Sequence, residues 1–266
     1  MAQSNLEIAK LALLKLGEDT ITALADSNVR AQTATLMLEP AKRAVLRLHP
    51  WNFAIKRTIL ALKTVTNCAN NGSGLIRVTV TSHGWSTGNN VTISEVLGTS
   101  EANGTWDITV INANTFDLVG SAFSNTYTSG GKAGLAPEHG FSYAHSLPSD
   151  FLRLLDSDGA FSDASYRVEA GKLLTDNDAP EITYIYDVTD YTTMDTMFYD
   201  ALSTYLAWMM CQKLTENGKD KEMLWQDFER ILAKARFVDG TEDSIRQIEA
   251  SEWLTSRFGY TGNRIR

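Results

Sequence analysis

Cysteine is scarce in this chain of 266 residues. Cys68 and Cys211 stand far apart in segments of different type, so they outline neither a disulfide framework nor a zinc site and read as structural thiols. Long apolar runs are also missing, and no stretch reaches the length needed to cross a bilayer. The opening MAQSNLEIAK lacks the basic start, apolar centre and small-residue cleavage site of a secretory signal, so synthesis in a cytoplasm is expected. Positive charge is in short supply. The net charge is -8, and residues 137–266 carry 13 Lys/Arg against 23 Asp/Glu, which excludes a broad basic face for gripping phosphates.

The signatures of catalysis are absent as well. There is no G-x-S-x-G elbow, no phosphate loop and no G-x-G-x-x-G after a strand. His49, His83, His139 and His145 are scattered, without H-x-x-x-H or H-x-x-E spacing for a metal. The carboxylate pairs Asp156/Asp158 and Asp176/Asp178 flank Gly159 and Pro180 in turn-rich contexts, where Asp bonds its own backbone. Trp208-Met209-Met210 reads as core packing rather than as a ligand box. No catalytic residue, cofactor or metal is expected, and the chain reads as something other than an enzyme.

What is present begins with helices. Ser4-Asn5-Leu6-Glu7 is a capping box; Leu6, Ala9, Leu13 and Leu16 follow at helical spacing, and Gly17 supplies a left-handed stop. A second helix starts at Ser27 with a stripe of Ala31, Ala34, Leu38, Ala41, Val45 and Leu48. Pro40 inside it predicts a kink or two successive helices, and Pro50 ends the element. From Phe53 the period becomes two, with Phe53, Ile55, Arg57 and Ile59 on one face and Ala54, Lys56, Thr58 and Leu60 on the other. That strand has no partner nearby in the sequence, and the partner expected for it is FSYAH (141–145) or FLRLL (151–155).

Between Thr64 and Ala136 the chain turns to Gly, Asn, Ser and Thr, with Arg77 and Lys132 its only cations. The runs LIRVTV, NVTISEV, TWDITVI and NTFDLV, separated by turn pairs such as Asn71-Gly72 and Asn103-Gly104, predict five or six strands in a small barrel or sandwich. Its expected core is Ile76, Val78, Val91, Ile93, Trp106, Ile108, Val110, Phe116 and Leu118. After Pro137, strands are expected at 141–145, 151–155, 166–169, 172–175 and 182–188, the middle pair turning through Ala170-Gly171. MFYDALSTYLAWMMCQKL is apolar nearly all round and predicts a central buried helix from about Asp195 to 214. Further helices are expected over 219–237, with Leu224, Phe228, Ile231 and Ala235 on one stripe, and from Thr241, with Ile245, Ile248 and Trp253. RFGYTGNRIR reads as an extended tail.

The expected fold class is therefore α+β. It comprises an antiparallel α-helical bundle with a small β-sheet region (1–63 and 137–266), an inserted all-β barrel or sandwich (64–136) and a C-terminal tail (254–266). Aromatic and arginine side chains dominate protein interfaces. On that ground the candidate partner-binding residues are Trp253, Arg257, Phe258, Tyr260, Arg264, Ile265 and Arg266. Trp85, Trp106 and Tyr127 are open to two readings, as core of the β-rich segment or as a stacking surface for sugars.

Removing residues 64–136 joins HPWNFAIKRTILALK to APEHGFSYAHSLPSDFLRLLD, and the join reads as one sequence. Together with LEIAKLALLKLGEDTITALAD, ITYIYDVTD and DALSTYLAWMMCQKLT, it resembles the head-to-tail adaptors (tail tubular protein A) of short-tailed bacteriophages over most of the chain outside the interruption. The matched positions are Pro50, Trp51, Phe53, Ala54, Lys56 and Arg57, then Tyr143, Leu147, Pro148 and Asp150. His145, where an aromatic is commoner, and Pro40 depart from the pattern. The interruption resembles a small barrel spliced into many phage virion proteins, related in pattern to the first catalytic-cysteine half-domain of ubiquitin-activating enzymes, and this brings no activity with it.

The resemblance implies a structural virion protein at the head–tail junction, made in the host cytoplasm. It would assemble as a twelve-subunit ring beneath the portal, extend the DNA channel without sequence-specific binding and seat the tail nozzle. Within such a ring, the aromatic and arginine content of residues 254–266 makes them the expected contact with the portal, and the β-rich segment is expected outside the ring because an inserted domain needs close termini at a surface loop. The alternatives are a carbohydrate- or receptor-binding tail protein acting through that segment, and a cell-wall hydrolase, for which an acid–base pair is missing.

Overall fold

The computed structural model describes residues 4–136, 140–157, 165–215 and 218–242. The helix expected beyond Thr241 and the tail 254–266 lie outside the described residues. Helix α1 (Asn5–Lys15) starts at Ser4, whose hydroxyl accepts from the Glu7 amide at 3.3 Å. It ends where Gly17 adopts φ 72° and the Glu18 amide returns to the Leu13 carbonyl at 3.0 Å. Helix α2 (Val29–Leu48) is capped by Asn28, one residue after the expected start, and runs through Pro40 as a single helix. Leu36, whose carbonyl loses its donor at Pro40, and Pro40 itself are both exposed, so water can satisfy the freed acceptor.

Thirteen strands follow among the described residues: β1 (Ile55–Ile59), β2 (Lys63–Thr64), β3 (Asn67–Asn70), β4 (Ile76–Thr79), β5 (Asn90–Leu97), β6 (Gly104–Asn112), β7 (Thr115–Leu118), β8 (Ser129–Leu135), β9 (Tyr143–Ser146), β10 (Phe151–Ser157), β11 (Tyr166–Glu169), β12 (Lys172–Thr175) and β13 (Glu181–Tyr186). Helices α3 (Thr196–Leu214) and α4 (Gly218–Thr241) complete the described residues. Phe53 and Ala54 fall in one 3-10 turn, so β1 begins two residues later than the alternation suggests.

The strands form two antiparallel sheets. One has three strands in the order β1-β13-β10; the other has ten, in the order β11-β12-β9-β8-β5-β6-β7-β4-β3, with β2 pairing β8. Within the larger sheet the pairing closes on itself. The run 63–70 bonds β8 at one end, through Lys63 and Thr64, and β4 at the other, from Asn67 on, while β6 bonds β5 with its first half and β7 with its second. The chain thus enters this closed path at Lys63, directly opposite Ala133, and β8 stays paired with β5 as far as Leu135. Inside lie Ile76, Val78, Val91, Ile93, Ile108, Phe116 and Leu118, all buried, with Trp106 and Val110 packed at the edge.

This architecture corrects the expected fold class. Antiparallel sheet dominates, including one sheet of ten strands, and only four helices are present among the described residues, so the molecule is not a helical bundle carrying a small sheet. The reason is a continuation. β9, β12 and β11 do not build a separate small sheet but extend outward from β8, and Ala144 and Leu174 enter the same apolar cluster as Phe116 and Val91. The partner of β1 is neither 141–145 nor 151–155 but β13, with Ile55 opposite Ile185 and Ile59 opposite Glu181. β10 flanks β13 on its other edge.

The helices pack around α3, which is buried on most sides: Phe198, Leu202, Leu206 and Met210 meet Ile8 and Leu13 of α1, Leu38 and Val45 of α2, and Phe228 and Leu232 of α4 in one cluster. Ile185 and Val188 join that cluster, while Ile182 and Tyr184 pack with Leu173 of β12. The three-stranded sheet is therefore a middle layer, helices against one face and the larger sheet against the other. No described helix is long and apolar enough to cross a membrane.

Candidate functional site

The two sequence segments that carry the resemblance meet on this middle layer. Pro50 releases the chain from α2, and Trp51 drops into the helical core, fully buried. Its ring lies 5.1 Å from that of Phe198, which also stands 5.0 Å from Phe53, and its indole nitrogen donates to the Val45 carbonyl at 3.2 Å. On either side, His49 Nε2 lies 3.0 Å from Asp239 Oδ2, the Asn52 amide donates to Asp239 Oδ1 at 3.1 Å, and Asn52 Nδ2 donates to the Asp239 carbonyl at 2.9 Å. Asp239 is buried, so this carboxylate clamps the end of α4 onto the α2–β1 turn.

One strand further, Lys56 Nζ reaches Asp150 Oδ2 at 2.6 Å, and Tyr184 donates to the other oxygen at 3.0 Å. Lys56 also sits 3.9 Å from the centre of the Tyr186 ring. Burial raises the Asp150 carboxyl, but the hydrogen bonds from Lys56 and Tyr184 outweigh it and hold the group below its ordinary value. Burial, then the bond to Asp150, pushes the Tyr184 hydroxyl up to about 12. The Asp187 amide closes on the Asp150 carbonyl at 2.7 Å. Lys56 and Asp150 come from opposite sides of the β-rich segment, and neither had a partner in the sequence.

A second polar cluster escaped sequence reading. Lys42 lies on the inner face of α2 between Leu38 and Val45 and is 2% exposed, bonded to the Val188 carbonyl at 3.0 Å and paired with Asp187 at 3.0 Å and Glu39 at 2.9 Å. Tyr191 donates to Glu39 at 3.0 Å, and burial followed by that carboxylate raises its hydroxyl. The signal was available: position 42 falls within the helical stripe that Ala31 and Leu38 define.

A cleft of about 610 Å³ opens at the seam between Ile59–Lys63, the turn at 82–85 and strands β8 and β9, with His83, Trp85 and His145 among its lining. His83 is buried. The Trp85 amide donates to its Nδ1 at 3.0 Å, which leaves the proton on Nε2, 2.9 Å from the Asn112 carbonyl. His145 Nε2 lies 3.1 Å from the Asn177 carbonyl. Among the described residues no carboxylate lines the cleft. The other aromatic candidates point inward too: Trp106 donates to the Ala102 carbonyl at 2.9 Å, and the Tyr127 hydroxyl lies 2.9 Å from the Gly130 carbonyl and 3.1 Å from that of Val65. Trp85 is 8% exposed.

Asp176 accepts from the Ser142 amide and hydroxyl, and Asp178 lies near Lys132, so that pair bonds across strands. Cys68 and Cys211 are both buried, and burial pushes the Cys68 thiol up to about 11. Among the described residues no group of three or more metal-binding side chains forms. Trp253, Arg257, Phe258, Tyr260, Arg264, Ile265 and Arg266 lie outside the described residues, as do His139 and Asp158. Neither protein-family models nor curated proteins match the chain.

Proposed function

We propose that this protein is a structural subunit of a homo-oligomeric ring of twelve copies that joins the portal to the tail of a short-tailed phage virion, extends the DNA channel and seats the tail nozzle. The observation that supports this reading is the meeting of HPWNFAIK with YAHSLPSD through Lys56 and Asp150, because it makes one unit of the two segments on which the resemblance rests. Leu11 and Leu14 on α1 and Val29 and Leu36 on α2 are exposed, and outward apolar side chains of this kind suit lateral contacts between copies. The acidic surplus suits a lumen that must not retain DNA. Residues 64–136, whose two ends lie side by side where Lys63 pairs with Ala133, belong on the ring exterior in this reading, and no catalytic step belongs to the chain.

Residues 254–266 are the proposed contact with the portal. In a pull-down on purified portal rings, the full chain is expected to bind and a chain ending at Trp253 to stay soluble but fail to bind. Equal binding by the two chains would remove the tail from the contact, and failure of the full chain to bind would reject the adaptor reading.

A further inference from the structure

The C-terminal ends of α2 and α4 form one surface that is both cationic and apolar. Arg236 Nη2 donates to the Leu48 carbonyl at 3.1 Å and Arg153 Nη1 to the Arg47 carbonyl at 2.8 Å, so guanidiniums from two other elements cap the carbonyl end of α2, where the helix dipole favours positive charge. Carbonyls do not neutralise them. The arginine ion pairs of the described residues involve Arg30, Arg43, Arg77, Arg167 and Arg230, and Arg47, Arg153 and Arg236 take part in none. Arg236 Nε is enclosed without an acceptor. Among these cations stand Leu48, 45% exposed, Val238, 39% exposed, and Phe237, 74% exposed. Unpaired guanidiniums interleaved with exposed apolar side chains fit an acidic amphipathic segment.

The chain carries such a segment directly beyond this surface. Ile245, Ile248, Glu249, Glu252 and Trp253 recur at i, i+3, i+4, i+7 and i+8, which combines apolar groups with two carboxylates at the spacing of one helical face. We propose that residues 243–254 seat on the α2/α4 end, with Glu249 and Glu252 against Arg47, Arg153 and Arg236, and with Ile245, Ile248 and Trp253 against Leu48, Phe237 and Val238. α4 ends at Thr241, four residues past Phe237, so the segment starts beside this surface. A tether this short holds the segment at an effective concentration of at least about millimolar, above that of a second copy in dilute solution. The inference stands whether or not the chain forms a ring. Within a ring it sets where residues 255–266 emerge.

Hydrogen exchange by mass spectrometry on the full chain tests it. The variant is Glu249→Arg with Glu252→Arg, which alters no described residue, and a circular dichroism melt checks that its fold is unchanged. Amides over 47–52 and 237–242 are expected to exchange at least tenfold faster in the variant than in the native chain. High salt should move the native chain toward the variant, and dilution should change nothing. Identical exchange in the two chains would overturn the proposal. Protection that fades as the native protein is diluted would overturn it as well, since a second copy would then be the occupant.

Discussion

Asp239 stands apart from any sequence motif, yet it holds both His49 and Asn52 and is itself buried. Asp239→Ala would leave two donors without their acceptor, so a loss of about 1–3 kcal/mol in unfolding free energy is expected by denaturant titration. Nothing in the local sequence of α4 marks this residue, because its partners are supplied by a turn some 190 positions earlier. Trp51 was legible: a proline that ends a helix and an aromatic just after it imply packing at the turn, and truncation of that fully buried ring to alanine is expected to cost about 3–5 kcal/mol. The thiols give a simpler check. Cys68 and Cys211 should ignore a soluble disulfide reagent in the native protein and react fully once it is unfolded.

Glu101 belongs to the same scale. It accepts from the Asn125 and Ser124 amides, each at 2.7 Å, and the Asn125 amide foremost lowers its carboxyl to about 2 from an ordinary 4.5. A carboxyl depressed on folding adds stability that is whole above its unfolded value and fades as the pH falls from 4.5 toward 2. Glu101→Gln should therefore melt below the native protein at pH 6, and the gap should narrow steadily on acidification. A constant gap would show that the carboxylate is not what closes this loop.

At the scale of elements, helices and strands were legible to different degrees for a physical reason. A helix is written locally: Ser4 caps α1, Asp195 caps α3 by accepting from the Met197 amide at 2.7 Å, and the periodic stripe fixes the buried face. The barrel interior was legible in the same way, since alternation along β5, β6 and β7 names the inward side chains. Strand partners are not local. The pattern of β1 is satisfied by any strand with a complementary face, and β13, more than a hundred residues away, is the one that β1 joins. The sheet identity of β9 and β12 was missed on the same ground, and this is what overturned the expected fold class.

The barrel seam offers an elemental test. Gly131 in β8 has φ 110°, and a methyl group there would stand 2.8 Å from Val65 Cβ and 2.7 Å from Val96 Cγ2. Gly131→Ala should lower the thermal midpoint by loosening the pairing of β8 with the run that starts at β2. Gly88→Ala, which also has positive φ but nothing within 4 Å, should lower it less. Equal shifts would mean that backbone strain, and not the close approach at the seam, sets the cost.

For the whole molecule, the candidate site was legible only in part. HPWNFAIK and the LP-x-D that follows Tyr143 could be read as pieces of one unit, while the contact that joins them, Lys56 to Asp150, required the fold. Asp239 was silent because its partners lie some 190 positions away, whereas Lys42 was marked only by its place on the buried stripe of α2. The ring reading gathers these observations: a three-stranded middle layer, helices with outward leucines and a β-rich segment attached through adjacent ends. Electron microscopy of purified portal rings, alone and after mixing with this protein, tests that reading most directly. The account predicts an added ring-shaped layer of twelve copies on the tail-proximal face of the portal, continuous with its channel, and portal rings that look the same with and without the protein would contradict it.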